Sequence, residues 1–88
     1  MIEPLPAPAD ALAALRDAGL DASPWSAGPQ AHFAVHSHAR TKRLYVVRGS
    51  ISFNGEWLQA PAGIRIPAGV EHSALVGDGG VDCVEGFE

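Results

Sequence analysis

Short apolar runs separated by turn-forming residues are the feature that most constrains the fold of this chain. After Pro24 these runs follow one another at regular spacing, broken by Gly, Pro and Asn, with no helical pattern between them. They predict strands at residues 31–35, 43–48, 50–53, 56–59, 64–66, 72–76 and 81–85. Strands spaced in this way are typical of a small antiparallel barrel or sandwich, so we expect an all-β fold.

Two turn signals divide the predicted strands. Asn54-Gly55 lies between Ile-Ser-Phe and Glu-Trp-Leu, and this dipeptide is a strong signal for a type I′ hairpin. Residues 77–80 read Gly-Asp-Gly-Gly, and we expect them to form a second hairpin loop.

The N-terminal segment has a different character. Residues 3–8 are proline-rich and should be extended. Asp10 can cap a short helix that runs to about Ala18, with Gly19 placed as its C-terminal cap. We therefore expect residues 1–24 to form a proline-rich lead and a short helix packed on the barrel, and residues 25–88 to form the barrel domain.

The composition fits one domain that binds neither nucleic acid nor membrane. The chain has 88 residues, of which 47% are hydrophobic, yet no apolar run is long enough to cross a bilayer. The first residues show no features of a secretory signal. The net charge is −4, and one small basic cluster within residues 40–48 is too little for a nucleic-acid footprint.

A small domain of this kind often needs a metal, a disulfide or a partner subunit for stability. The single cysteine, Cys83, leaves no internal disulfide and fits a reducing, cytoplasmic location. Residues 44–47 read Leu-Tyr-Val-Val and are apolar on both faces, so both faces of that strand should be covered. We expect one face to look into the barrel, and a homodimer rather than the helix to cover the other.

Three histidines form a candidate metal site. On a strand His36 and His38 would point to the same side, because side chains alternate between the two faces. Pro67 and Gly69 bracket a tight turn, and His72 opens the next strand. Two imidazoles from one segment and a third from a distant turn suit a divalent transition metal with open coordination positions. His32 lies roughly 13 Å further along the strand, so we expect it at the rim.

These residues resemble the motifs of the cupin superfamily, in particular the small single-domain cupins. The first cupin motif runs G-x5-H-x-H-x(3,4)-E-x6-G, and His36, His38 and Gly49 match it. The second runs G-x5-P-x-G-x2-H-x3-N, and the Pro67, Gly69 and His72 positions match it. The resemblance covers about residues 25–88.

The resemblance implies a jelly-roll barrel, frequent dimers and one metal at its centre, usually iron, zinc, nickel, manganese or copper. It implies His36, His38 and His72 as the metal ligands. It does not fix an activity, because cupins include oxygenases, isomerases, decarboxylases and binding proteins without catalysis.

Lys42 stands where the first motif has glutamate. Its side chain could turn out into solvent, line the mouth of a ligand pocket and bind an anion, or occupy the place of an absent metal. If the inward face of the last strand carries Glu85, that carboxylate could pair with Lys42 or replace the missing ligand, although an exposed acid is the more usual reading.

The expected function follows from charge. With the glutamate gone, three neutral histidines leave the full charge of a metal on the site, which favours a small anionic, oxygen-rich ligand. Metal-dependent oxygenase, isomerase or lyase chemistry on such a ligand is one hypothesis. A small-molecule or metal-sensing module without turnover is the alternative, and a metal-free structural remnant is a third. The sequence leaves open whether the protein is an enzyme.

Overall fold

Seven strands and one short helix make up the computed structural model, which describes residues 1–88. The strands are β1 (Glu3–Leu5), β2 (Ala22–Ala27), β3 (His32–His36), β4 (Lys42–Phe53), β5 (Glu56–Gln59), β6 (Ala62–Ile66) and β7 (His72–Phe87), and the helix α1 spans Ala11–Asp17. The predicted all-β class with a short N-terminal helix is therefore confirmed. The helix is far too short to span a bilayer, and no other helix is present.

All seven strands belong to one antiparallel sheet. Its main order is β1-β6-β4-β7-β2, with β3 added to β7 and β5 added to β4. The long strands β4 and β7 lie at the centre, and the sheet curves around a single main core. Ten buried side chains fill that core: Leu44, Val46, Ile51, Phe53, Ile64, Ile66, Ala74, Val76, Val81 and Cys83.

The helix forms because its ends are capped and one face is apolar. The Asp10 carboxylate accepts a hydrogen bond from the Ala13 N–H at 3.0 Å, and Gly19 follows the helix with a φ of +81°. Ala11 and Leu15 are buried against Val84, with Tyr45 packed beside them. The helix thus covers part of the outer face of β4 and β7.

The two faces of β4 have different surroundings. Leu44 and Val46 are 1% exposed in the main core, and Tyr45 packs at the helix. Val47 remains 48% exposed on the outer face. The homodimer expected to cover this face stays a prediction.

The predicted hairpin loop at residues 77–80 is wrong. If those residues formed a hairpin, the segments on either side would pair with each other. Instead both segments pair with β4, since Val76 lies opposite Ile51 and Val81 lies opposite Gly49. The Gly-rich stretch is therefore an irregularity within the continuous strand β7, which the turn-like composition does not distinguish from a hairpin.

The turn and apolar patterns do not predict two strands near the N-terminus. β1, which lies inside the proline-rich lead, pairs with β6, and β2 pairs with the C-terminal half of β7. The segment before residue 25 therefore contributes to the sheet as well as to the helix. By contrast, the predicted Asn54-Gly55 hairpin is present: β4 and β5 pair directly, and Asn54 has a φ of +52° and Gly55 of +84°.

Candidate metal centre

The three histidines converge at one end of the curved sheet. His36 ends β3 and lies opposite His72 at the start of β7, while His38 follows in the loop after β3. Their ring centroids are 4.3 Å (His36–His72), 4.8 Å (His36–His38) and 5.0 Å (His38–His72) apart. One nitrogen from each ring lies within 4.8 Å of the other two. The prediction that His36 and His38 share one strand is wrong for His38, which lies beyond the end of β3, yet its ring still joins the cluster. His32 is exposed and outside it.

The turn before His72 holds the cluster together. The Val70 N–H donates to the Pro67 carbonyl at 3.2 Å, and Gly69 adopts a φ of +80° that favours glycine. The Gly69 N–H donates to the His38 carbonyl at 2.8 Å, which ties this turn to the loop carrying His38. The spacing of the second motif thus fixes two of the three histidines relative to each other.

The hydrogen bonds of two rings leave one nitrogen of each free for another partner. His36 Nδ1 lies 2.8 Å from the Ala34 carbonyl, and His72 Nδ1 lies 3.0 Å from the Val70 carbonyl. Because a carbonyl only accepts, each Nδ1 must carry the proton, and each Nε2 then keeps its lone pair when the ring is neutral. His38 Nδ1 is buried and has no hydrogen-bond partner. A buried polar atom without a partner is unusual in a folded protein.

Burial favours the neutral form of two of these rings. Desolvation is the main cause that lowers the pKa of His38, and the nearby charge of Lys42 lowers it further. Desolvation likewise lowers the pKa of His72, against a smaller raising effect of the Val70 carbonyl. Neutral imidazoles are the form that binds a metal ion.

A cavity of about 330 Å³ opens beside the cluster, and both His36 and His72 line it. Lys42 also lines it, with its side chain only 12% exposed, so the reading in which Lys42 turns into solvent does not hold. Lys42 Nζ lies 3.3 Å from Glu85 Oε1, and Trp25 Nε1 donates to the same oxygen at 2.7 Å. Glu85 therefore faces inward and pairs with Lys42, and the histidine cluster forms without it.

Aromatic side chains form part of the cavity wall. Trp25, Phe33 and Phe53 line the cavity, whereas the sequence favours a core or interface role for them over contact with a ligand; Phe53 belongs to the main core as well. Trp25 lies on β2, for which the sequence carries no clear strand signal. Its inward direction follows only from its position opposite Cys83 on β7.

Cys83 takes no part in the site. Burial raises the pKa of its thiol to about 12, so it stays protonated at neutral pH and packs as a small apolar residue of the core.

The curved antiparallel sheet brings the histidines of the H-x-H and P-x-G-x2-H motifs together at one end of its interior. This arrangement defines the class of protein: the chain has the cupin fold. Solved structures agree. An RmlC-like cupin from Shewanella frigidimarina NCIMB 400 has 26% identity and a TM-score of 0.67 over 75% of this chain and 62% of its own. A cupin-2 domain protein from the same organism has 25% identity and a TM-score of 0.59 over 76% of this chain and 67% of its own. The predicted resemblance to small cupins is therefore confirmed.

One further likeness concerns the fold alone. A chain in the crystal structure of Rhodobacter sphaeroides SigE in complex with the anti-sigma ChrR has a TM-score of 0.71 at 14% identity, over 99% of this chain and 44% of its own. This chain thus spans less than two thirds of the length of both that protein and the RmlC-like cupin. No family model matches the sequence, and no curated protein matches it.

Proposed function

We propose that the protein binds one divalent transition metal through His36, His38 and His72. The observation that carries the proposal is the convergence of three imidazole nitrogens within 4.8 Å, at the end of a cavity. The partnerless Nδ1 of His38 adds to it, because a metal would supply the partner that this buried atom lacks. Iron, zinc, nickel, manganese and copper all accept imidazole ligands.

Such a metal would supply Lewis acidity at the coordination positions that three protein ligands leave open. The chain's own groups set the charge around it. Lys42 and Glu85 form an ion pair, so together they add no net charge to the cavity. The histidines are neutral ligands, and an anionic oxygen group is then the ligand best matched to the site.

The function best supported is metal-dependent chemistry on a small anionic, oxygen-rich molecule, of the oxygenase, isomerase or lyase type. A second candidate is a binding or sensing module without turnover. The observation that favours the second is the Lys42–Glu85 pair, because the acid and the base that line the cavity are engaged with each other.

Elemental analysis of tag-free protein tests the metal site. We expect about one transition metal per chain in the wild type and in His32→Ala, whose exposed side chain lies outside the cluster. His36→Ala and His72→Ala should lose most of it. His36 is exposed, so its variant should fold even if loss of the buried His72 does not allow folding. Equal metal content in His36→Ala and His32→Ala would contradict the assignment.

Turnover separates the two candidate functions. Oxygen uptake or substrate conversion by the iron- or manganese-loaded protein, lost in His36→Ala, would support an enzyme. Tight binding of an anion by the metal-loaded protein with no conversion would support the sensing module.

A homodimer also stays a proposal, supported by Val47, whose apolar side chain is 48% exposed on the outer face of β4 that a partner would cover. Light scattering at several concentrations tests it, and a monomer mass throughout would contradict it.

A further inference from the structure

The cavity beside the histidines has two chemically different parts. His36, His72, Lys42 and Glu85 form its polar part, with Ser23 as a further polar neighbour. The remaining lining is apolar and consists of Trp25, Phe33, Leu44, Ile51, Phe53 and Ala74. A ligand that is polar throughout would leave hydroxyl groups against this apolar wall without hydrogen-bond partners, which is unfavourable.

The charges of the polar part favour a ligand with a single anionic group. The ammonium of Lys42 is already paired with Glu85, and it also lies 5.3 Å from the centre of the Phe87 ring. One carboxylate at the histidine cluster would bind the metal and could also accept hydrogen bonds from the N–H groups of Lys42 that Glu85 leaves free. A second carboxylate elsewhere in the cavity would meet the negative charge of Glu85.

The aromatic wall is held in place. The Trp25 indole is fixed by its 2.7 Å hydrogen bond to Glu85, and its ring packs edge-on against Phe33 at a centroid distance of 5.9 Å. Phe33 is 38% exposed and stands where the cavity meets solvent. A flat apolar group entering the cavity would cover the exposed part of Phe33 and gain aromatic contact.

We propose that the cavity takes a small monocarboxylic acid whose other part is a single aromatic ring or a branched alkyl group. The carboxylate lies at the histidine cluster near Lys42, and the apolar part lies against Trp25 and Phe33. This inference rests on the proposed metal site and replaces the oxygen-rich ligand named above: the ligand is anionic, but its oxygen atoms are confined to one end of the molecule.

Four probes test the two halves of this proposal on zinc-loaded protein. The probes are 3-phenylpropionate, 3-phenylpropan-1-ol, gluconate and succinate. The chain has two tryptophans, and Trp57 is exposed and outside the cavity, so Trp57→Phe leaves Trp25 as the only tryptophan, whose emission can be excited selectively over that of the single tyrosine. Calorimetry on the same samples gives an independent affinity.

We expect 3-phenylpropionate to bind about tenfold more tightly than each of the other three, since the alcohol lacks the charge, gluconate lacks the apolar part and succinate adds a second charge. Equal affinity for gluconate would overturn the apolar half of the proposal, and equal affinity for the alcohol would overturn the carboxylate half. If none of the four probes binds, both halves of the proposal are overturned.

A matched pair of variants locates the apolar part. Phe33→Ala should weaken 3-phenylpropionate binding severalfold while leaving gluconate unchanged. Val35→Ala is the control, because Val35 is on the same strand, is 64% exposed and does not line the cavity. Equal effects of both substitutions would overturn the placement. Zinc content, measured on every sample, separates this proposal from the metal site: zinc-free protein contradicts the site, whereas zinc-loaded protein that does not discriminate contradicts only the ligand.

Discussion

Lys42 and Glu85 face each other inside the cavity, where their side chains are only 12% and 18% exposed. An ion pair so far removed from water depends on both members, because removing one leaves the other charge with few partners. Trp25 donates to the same Glu85 oxygen, so the pair also connects β2 to β4 through a residue of β7.

Lys42→Met should therefore destabilise the fold by about 1–3 kcal/mol, since it leaves the Glu85 carboxylate with the Trp25 indole as its remaining partner. Urea unfolding gives the loss. The matched control is the double variant Lys42→Met/Glu85→Gln, which removes both charges. The neutral amide oxygen of Gln at position 85 can still accept the hydrogen bond from Trp25. The double variant should recover part of the lost stability, and a simple sum of the two single effects would contradict this coupling.

Single residues differ in how far the sequence predicts them. The histidine cluster follows from two short motifs, because H-x-H and P-x-G-x2-H each fix geometry within a few residues. The Lys42–Glu85 pair follows from no motif and is only one of the alternatives that the sequence allows, since it requires residues 43 positions apart to face inward on neighbouring strands. Only the register between β4 and β7 decides that, and the sequence does not state it.

At the scale of elements, the pairing of β4 with β7 is interrupted where Gly49 meets Gly80. Both glycines have positive φ, +79° and +76°, and the register shifts between Gly49 and Ile51. A methyl group at Gly49 would run into the Gly80 carbonyl and come within 3.1 Å of the Val81 Cα. Glycine at position 49 therefore allows this close approach of the two long strands, which a residue with a Cβ would not permit without a shift of the backbone.

Gly49→Ala and Gly55→Ala form a matched pair that isolates this contact. Gly55 has a similar φ of +84° but nothing within 4 Å of the added methyl group. Gly55→Ala should cost about 1–2 kcal/mol from the backbone conformation alone. Gly49→Ala should cost roughly a further 1–3 kcal/mol from the clash with backbone atoms. Urea midpoints measure both, and equal losses would show that the close approach contributes nothing.

The two glycine-containing turn signals near β4 differ in whether the sequence alone predicts them correctly. The Asn54-Gly55 hairpin is local, so its turn chemistry is sufficient to predict it. Residues 77–80 have equally turn-like chemistry but lie opposite a strand that continues past them. Whether a glycine-rich stretch reverses the chain or stays in a strand is decided by the distant partner, which here is β4.

At the scale of the whole molecule, Glu88 connects three strands at one end of the sheet. Its carboxylate accepts from Arg43 on β4 at 2.8 Å and from Arg65 on β6 at 2.9 Å, directly after β7. Arg65 also reaches Glu3 on β1 at 3.0 Å. Hydrogen bonds from Arg65 and then Arg43 lower the pKa of Glu88 from 4.5 to about 2.

A carboxylate whose pKa is lower in the folded chain than in the unfolded chain stabilises the fold above the unfolded pKa. That stabilisation is lost as the pH falls from about 4.5 towards 2, because the unfolded chain then binds a proton that the folded chain does not. Glu88→Gln should therefore lower the urea midpoint at pH 7 and flatten its decline over this window. Glu71→Gln is the control, since Glu71 is exposed and forms no ion pair, and its profile should keep the wild-type slope. Added salt should weaken the effect because the groups are partly exposed, and parallel profiles for Glu88→Gln and the wild type would show that this network does not set the acid stability.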